Sequence, residues 1–397
     1  MLVFFIKGKL YQTDNFLPII YNIKKSLPKR KLIIIYPSLS DYREIKKNKP
    51  LFNSLCDIAS VKYFINPSHK DKKIFRFLPK IFYSILSIIY RVTILYFFLY
   101  KRVTLFRTMD IPKINWLVNY NRRFLKGKIV SIFIYPYTPK ELFKYTERMK
   151  MHNVSLNTIW GNNLCHNSDI LISSYSKSIL YKVYPPTKKQ SYEIFDIGYS
   201  LQYFKPWFNN LEKFSNNELN KIEKPFIFFP LTILHRENKT AKGVKKVNYT
   251  DLFLQILKTI RLYDNKINIV LRPHPSSNVE EIETILKKNN FSNIAISYIN
   301  SAVLIKNCSF VVRWGTSTMD PIIKLYSKTL IRYFSIDLFN YSKSELTEEK
   351  GTYNILEKKR LKEILKKVLI DKSTYTYSSE EYFKKDFITS KLIKEIK

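Results

Sequence analysis

"KINIVLRPHPSSNVEE", residues 266–281, is the stretch on which the fold turns. Ile267 to Leu271 form a short, mostly apolar run bounded by a proline, which reads as a buried strand. From Asn278 to about Asn290 the apolar residues follow helical spacing. A strand, a short turn and a helix make up most of a β-α-β unit, the building block of parallel α/β sheets. Pro273 and Pro275 bracket His274; each fixes its own φ and pushes the preceding residue, Arg272 or His274, toward extended geometry. The imidazole is thus presented on a stiff backbone directly after a strand and beside a cation. Ser277 and Glu280 match S-x-x-E, a capping box that would open the helix.

The same alternation runs outward in both directions. Upstream, "KPFIFFPLTIL" (224–234) reads as a strand, "HRENKTAKGVKKVNYT" (235–250) as a basic loop and "DLFLQILKTIRLYDN" (251–265) as a helix. Downstream come the strand "IAISYIN" (294–300), the short helix "AVLIKNC" (302–308), the strand "SFVVRW" (309–314) and the turn "GTSTMDP" (315–321). "KTLIRYF" (328–334) is the last clear strand, and the tail after Tyr353 reads as helical and basic. The first half repeats the pattern: strands at 2–7, 31–37, 127–137 and 169–173, and helices at 16–27 and 141–152. "YEIFDIGYSLQYFKPWFNN" (192–210) reads as an aromatic connector of weak periodicity. The chain therefore divides into an α/β half over 1–195, a linker over 196–220, a second α/β half over 221–375 and a helical tail over 376–397.

Residues 74–107 break this rhythm. Ile81 to Tyr100 is almost wholly apolar, interrupted by Arg91, and its flanks carry Arg76, Lys80, Lys101, Arg102 and Arg107. About 20 apolar residues can span a bilayer, but a central arginine costs about 2.5–3.5 kcal/mol even on a lenient insertion scale. A span would also sever the first β-α units from their sheet. An interfacial helix over 81–100, resting on anionic lipid through basic flanks, fits better, with a buried core helix as the alternative.

The composition narrows the partners. The 397 residues carry 68 Lys+Arg against 32 Asp+Glu, a formal net charge of +36. Such a chain seeks anions: nucleic acid, anionic lipid or phosphorylated substrates. The positive residues are spread along the chain and no zinc knuckle or aromatic RNA-binding motif appears, so nucleic acid is not the expected partner. Part of the charge follows a general excess of Lys, Ile, Asn and Tyr. Cys56, Cys165 and Cys308 are far apart, which fits a reducing compartment and argues against a zinc site or a disulfide framework. "MLVFFIKGKLYQ" has neither a basic n-region nor a small-residue cleavage site and reads as a first strand. No H-E-x-x-H, G-x-S-x-G or EF-hand pattern is present.

Four places carry candidate chemistry. Arg272 and His274 stand at a strand end before a helix, a setting suited to phosphate, although His274 equally fits a plain strand-end turn. In "VVRWGTSTMDPII" (311–323), a strand runs into Gly315, then Thr316, Ser317 and Thr318, then Asp320-Pro321; the turn offers backbone N–H groups, hydroxyls and a helix dipole to an anion, or is an ordinary N-cap. His235, Arg236, Lys239 and Lys242 crowd the loop after the first strand of the second half, without the glycine-lysine pattern of a nucleotide triphosphatase loop. Asp14, read as lying in the loop after the first strand, and His166 in "WGNNLCHNSD" are candidate general bases.

The order strand, "RPHP", helix, strand, short helix, "CSFVVRWGTSTMDPII" resembles bacterial glycosyltransferases of the GT-B architecture that build capsule and lipopolysaccharide. The resemblance covers mainly residues 224–340. It implies two Rossmann-like domains facing a cleft. In the sialyl- and Kdo-transferases of this type a His-Pro motif and a later Ser/Thr-rich helix start meet the nucleotide phosphate; His274-Pro275 and Ser317/Thr318 match them. The chain also resembles CDP-glycerol glycerophosphotransferases, whose downstream aspartate Asp320 would mirror. The sialyltransferases' acidic D/E-D/E-G triplet is missing.

The resemblance implies transfer from a nucleotide-sugar donor to a glycan or lipid-linked acceptor; the basic surface and the 81–100 segment would hold this cytoplasmic enzyme peripherally at the inner membrane. Arg272, His274 and 315–318 would contact the donor phosphate, His235, Arg236, Lys242 and Asp320 would assist, and no metal or other cofactor would be needed. Polyol-phosphate transfer from CDP-glycerol is the rival reaction, and a basic nucleic-acid- or membrane-binding protein without catalysis is the rival class.

Overall fold

The computed structural model describes residues 1–6, 10–36, 38–63, 103–108, 115–133, 168–183, 192–197, 201–231, 249–274, 277–314, 319–333, 351–355, 357–370 and 387–396, with isolated positions in 79–92 and 143–147. The chain divides into two compact units, Met1–Asn210 with Tyr382–Lys397, and Leu211–Glu381.

Unit 1 is built on β1 (Leu2–Phe5), α1 (Leu10–Ser26), β2 (Leu32–Tyr36), α2 (Leu39–Lys47), α3 (Lys49–Ile58), β3 (Ser60–Tyr63), β4 (Thr104–Thr108), α4 (Asn115–Arg123), β5 (Ile129–Phe133), β6 (Ile170–Ser173), α5 (Lys177–Val183) and β7 (Glu193–Asp196). Its sheet runs β3-β2-β1-β4-β5-β6-β7, parallel throughout. The boundary between the units falls in α6 (Leu201–Leu219). Unit 2 follows with β8 (Phe226–Pro230), α7 (Tyr249–Tyr263), β9 (Asn268–Arg272), α8 (Val279–Lys288), β10 (Ile294–Ile296), α9 (Ser301–Asn307), β11 (Phe310–Trp314), α10 (Asp320–Leu325), β12 (Thr329–Tyr333), β13 (Thr352–Ile355) and α11 (Lys358–Leu369); α12 (Phe387–Ile396) belongs to unit 1 again. The second sheet runs β10-β9-β8-β11-β12-β13, also parallel. Counted from its own first strand, each sheet has the order 3-2-1-4-5-6 of the Rossmann fold, with β7 added to unit 1.

A parallel sheet is covered on both faces, so its strands read as unbroken apolar runs. The central strands obey this: all residues of β1, β2, β5, β8 and β11 are buried. Phe4 and Phe106, paired in register on β1 and β4, stack at 4.1 Å. In unit 2, Phe229 of β8, Trp314 of β11 and Phe253 of α7 form an aromatic group at 5.2–6.4 Å, with Trp314 edge-to-face to both phenylalanines. Each such pair contributes about 0.5–1.5 kcal/mol beyond its buried area. α11 sets Leu361, Ile364, Leu365 and Val368 against this core at helical spacing.

The strands that the periodicity does not reveal have identifiable reasons. β3, "SVKY", and β7, "EIFD", are edge strands with partly exposed residues, which carry little apolar signal. β4 was hidden at the end of the apolar run 74–107. Arg107, read as a basic flank for lipid, instead lies in β4, buried, with Nε donating to Ser131 Oγ at 3.1 Å and an NH2 donating to Ser168 Oγ at 3.2 Å. The expected connector 192–210 is β7 followed by the start of α6, because Trp207, Phe208 and Leu211 have a core to enter despite Pro206. Asp14 stands inside α1, not in a loop; its side chain lies outside the described residues.

Gly127 precedes β5. A Cβ there would meet Val103 O at 2.2 Å and Asn121 Oδ1 at 2.6 Å. The buried Asn121 amide itself donates to Val103 O at 3.3 Å, so neither neighbour can withdraw freely. Gly127→Ala should cost about 1–3 kcal/mol and lower Tm by roughly 3–10 °C, measured by calorimetry; an unchanged Tm would show that the contact yields.

Candidate functional site

In open α/β sheets, ligands bind beyond the carboxyl ends of the strands, at the point where strand order reverses. In unit 2 that point lies between β8 and β11. In sequence, the segments read as basic (235–250) and hydroxyl-rich (315–318) follow these two strands. His166, His235, Arg236, Lys242, Gly315, Thr316, Ser317 and Thr318 lie outside the described residues.

β9 flanks β8 on the other side, with Arg272 opposite Pro230. Arg272 is the last residue of β9, and its carbonyl accepts from Leu231 N at 2.9 Å. Its Nε donates to Ile299 O at 2.9 Å, tying the guanidinium to the loop that follows β10. His274 is exposed, two residues past the strand, and its carbonyl accepts from Ser277 N at 2.8 Å to close a turn. The structure thus brings both residues to the strand-end edge. The expected capping box is not formed: α8 is capped at Asn278 without a side-chain bond, and Ser277 Oγ is buried with no hydrogen-bond partner among the described residues. The His274–Ser277 turn takes the backbone that the box would have used.

On the other side of the switch point lies a cluster that the sequence reading missed. Arg313 of β11 and Arg332 of β12 are paired in register, three residues into their strands. Arg313 is fully buried, and Arg332 is partly buried with 14% of its side chain exposed. Asp320, the first residue of α10, lies between them: Arg313 donates to Oδ1 and Arg332 to Oδ2. Arg332 also reaches Asn354 Oδ1 of β13 at 3.4 Å. Burial pushes the Arg313 guanidinium down to about 10; the Asp320 carboxylate opposes this and the Arg332 charge adds to it. Both oxygens of the carboxylate expected to touch donor are therefore taken up by arginines. The signal for the cluster was present: one arginine at the same place in two otherwise apolar strands, "FVVRW" and "TLIRY".

Two guanidinium groups against one carboxylate leave one positive charge in surplus. It lies at the start of α10, against Asp320. Charges in such a site are weakly screened. Together with Arg272, it puts positive charge at the strand-end edge on both sides of the switch point. Among the described residues, no group of three His, Cys, Asp or Glu side chains gathers where it could hold a metal ion, and no helix is long and apolar enough to cross a membrane.

No protein-family model matches the chain, and no curated protein matches it in sequence. Among solved structures, a UDP-N-acetylglucosamine 2-epimerase aligns with a TM-score of 0.54 at 10% identity, over 93% of this chain and 87% of that one. A UGT transferase from Siraitia grosvenorii in complex with UDP aligns at 0.48 and 10% identity, over 100% and 93%. The wall teichoic acid polymerase TagF aligns at 0.47 and 13% identity, over 92% and 79%. At such identities the likeness is one of fold. The chain has two Rossmann-like parallel-sheet α/β units, matching proteins of the GT-B architecture.

Losing one partner of a buried ion pair typically costs about 3–5 kcal/mol. Asp320→Asn should accordingly lower Tm by roughly 6–20 °C in calorimetry, since two arginines would then face each other unneutralised. Adding Arg332→Gln should recover part of that loss; no recovery would show that like-charge repulsion is not its source.

Proposed function

We propose that this protein is a glycosyltransferase that moves a sugar from a nucleotide-sugar donor to a growing bacterial surface glycan, of capsule or lipopolysaccharide type. The observation that carries the reading is the strand-end edge of unit 2, with Arg272 closing β9, His274 two residues beyond it, and the Arg313–Asp320–Arg332 cluster joining β11, β12 and the start of α10. Transfer from a nucleotide sugar expels a nucleotide phosphate, and preorganised cations lower the barrier by stabilising the charge that develops there. In this reading His274 and Arg272 meet the departing phosphate, with Gly315, Thr316, Ser317 and Thr318 supplying N–H and hydroxyl donors. The arginine cluster acts beneath them as a fixed positive field. His235, Arg236 and Lys242 add to that field from the loop after β8, and Asp14 or His166 is the proposed base that deprotonates the acceptor hydroxyl. Cationic side chains would do the neutralising work often given to a metal.

A second reading, a nucleotide-sugar epimerase, is favoured by the fold match at a TM-score of 0.54. Polyol-phosphate transfer from CDP-glycerol is a third. Their products separate them: a transferase releases nucleotide only with acceptor present, an epimerase converts donor without acceptor, and the polyol-phosphate enzyme releases CMP while passing on the phosphate.

Thermal-shift titration with CMP, CDP, UDP and GDP should find one nucleotide that raises Tm, because a ligand of the folded state stabilises it by mass action. His274→Ala should weaken that nucleotide about tenfold or more, the loss expected for a charge-assisted hydrogen bond. The exposed position of His274 predicts an unchanged Tm without ligand. Equal nucleotide affinity and turnover in the variant would remove His274 from the site. Turnover that survives EDTA undiminished would agree with the metal-free reading, and its loss would overturn that part.

A further inference from the structure

Between β3 and β4, the described positions Ile81, Phe82, Ile85, Ile88, Ile89 and Val92 are helical and 47–68% exposed. At about 100° per residue they fall within an arc of roughly 120°. Leu86, which points outside that arc, is only partly exposed. An amphipathic helix of a globular protein normally turns its apolar stripe inward; here the stripe faces out. Other large exposed apolar residues, such as Phe124, Leu262 and Ile370, occur singly along the chain, which is ordinary for a protein surface. A contiguous apolar stripe is not, and it marks a surface that something covers.

The charge of the flanking sequence indicates what covers it. From Asp71 to Asp110 the sequence holds eight Lys and Arg and no other acidic residue. Arg107 is withdrawn into β4, which leaves seven. Apolar residues on one side of a helix, set in a segment of one positive sign, are the chemistry of a helix lying in the headgroup layer of an anionic bilayer. At about 1.5 Å per residue, positions 81–92 extend some 18 Å, short of the roughly 30 Å hydrocarbon core. We infer that the helical positions between Ile81 and Val92 dock unit 1 on an anionic phospholipid surface, lying along it with Ile81, Ile85, Ile88 and Val92 toward the acyl chains. Binding of this kind depends on neither nucleotide nor turnover, so its failure would leave the transferase reading untouched.

The test is flotation of the full chain with phosphatidylglycerol-containing vesicles, compared with pure phosphatidylcholine vesicles and with the variant Ile85→Asp/Ile88→Asp. The wild type should float with the anionic vesicles and bind the neutral ones about tenfold or more weakly. The double variant should lose about tenfold or more of its binding to anionic vesicles while keeping the wild-type Tm, because both residues are exposed. Undiminished flotation of the variant, or equal binding to neutral vesicles, would overturn the inference. A fall in Tm would do so too, by showing that the stripe packs against protein. A wild-type dimer that the variant turns into a monomer in light scattering would assign the stripe to a second copy of the chain instead.

Discussion

Every strand in both sheets is parallel, and this constraint organises the rest. A parallel strand cannot return by a hairpin; the chain must cross over, through a helix, to re-enter at the same end. All carboxyl ends of one sheet therefore lie along one edge, and so do the segments that leave them. Residues far apart in sequence, Arg272 at the end of β9 and Arg313 near the end of β11, come to the same edge for this reason alone. The crossovers also cover both faces, which is why the central strands are mostly apolar and why the few charged side chains within them, such as Arg107 and Arg313, are held by polar partners.

Arg313 is the exception that gives the edge its character. A guanidinium in a buried strand is costly unless it is paired, and its register partner on β12 is another arginine. Asp320 resolves the conflict by taking one guanidinium on each oxygen. Doing so fixes the start of α10 to two adjacent strands and leaves the net charge positive. Packing and electrostatics thus meet in one carboxylate: it holds the helix in place and tunes the field felt by whatever binds above it. The aromatic group of Phe229, Phe253 and Trp314 gives β8 and β11 a rigid base on either side of the same switch point.

The sequence showed the central strands because burial on both faces writes itself as "VFF", "LIIIY" or "FIFF". It concealed the edges, since a strand such as "SVKY" with one side in water carries too few apolar residues to stand out. It also concealed α6, where Pro206 and mixed periodicity suggested a connector; the deciding factor was the core available to Trp207, which no local pattern encodes. At the site, the "RPHP" turn was legible because proline geometry is local. The role of Asp320 was not, because it depends on two arginines brought beside it by sheet register. Ser277 shows the limit of motif reading: S-x-x-E matched, yet the helix starts one residue later because His274 closes a turn across that position.

The last described helix carries a different consequence. α12 returns to unit 1, burying Leu392 and Ile396 there, with Lys391 paired to Glu193 of β7 and Lys128 to Glu395. In the order of synthesis, unit 2 is an interruption of unit 1. A chain emerging from the ribosome presents the first sheet early, yet the helix that packs beside β7 arrives only after the whole of unit 2 has been made. The unit begun first is thus the one completed last, and until then the surface that α12 will cover stays open to solvent and to whatever shields nascent chains.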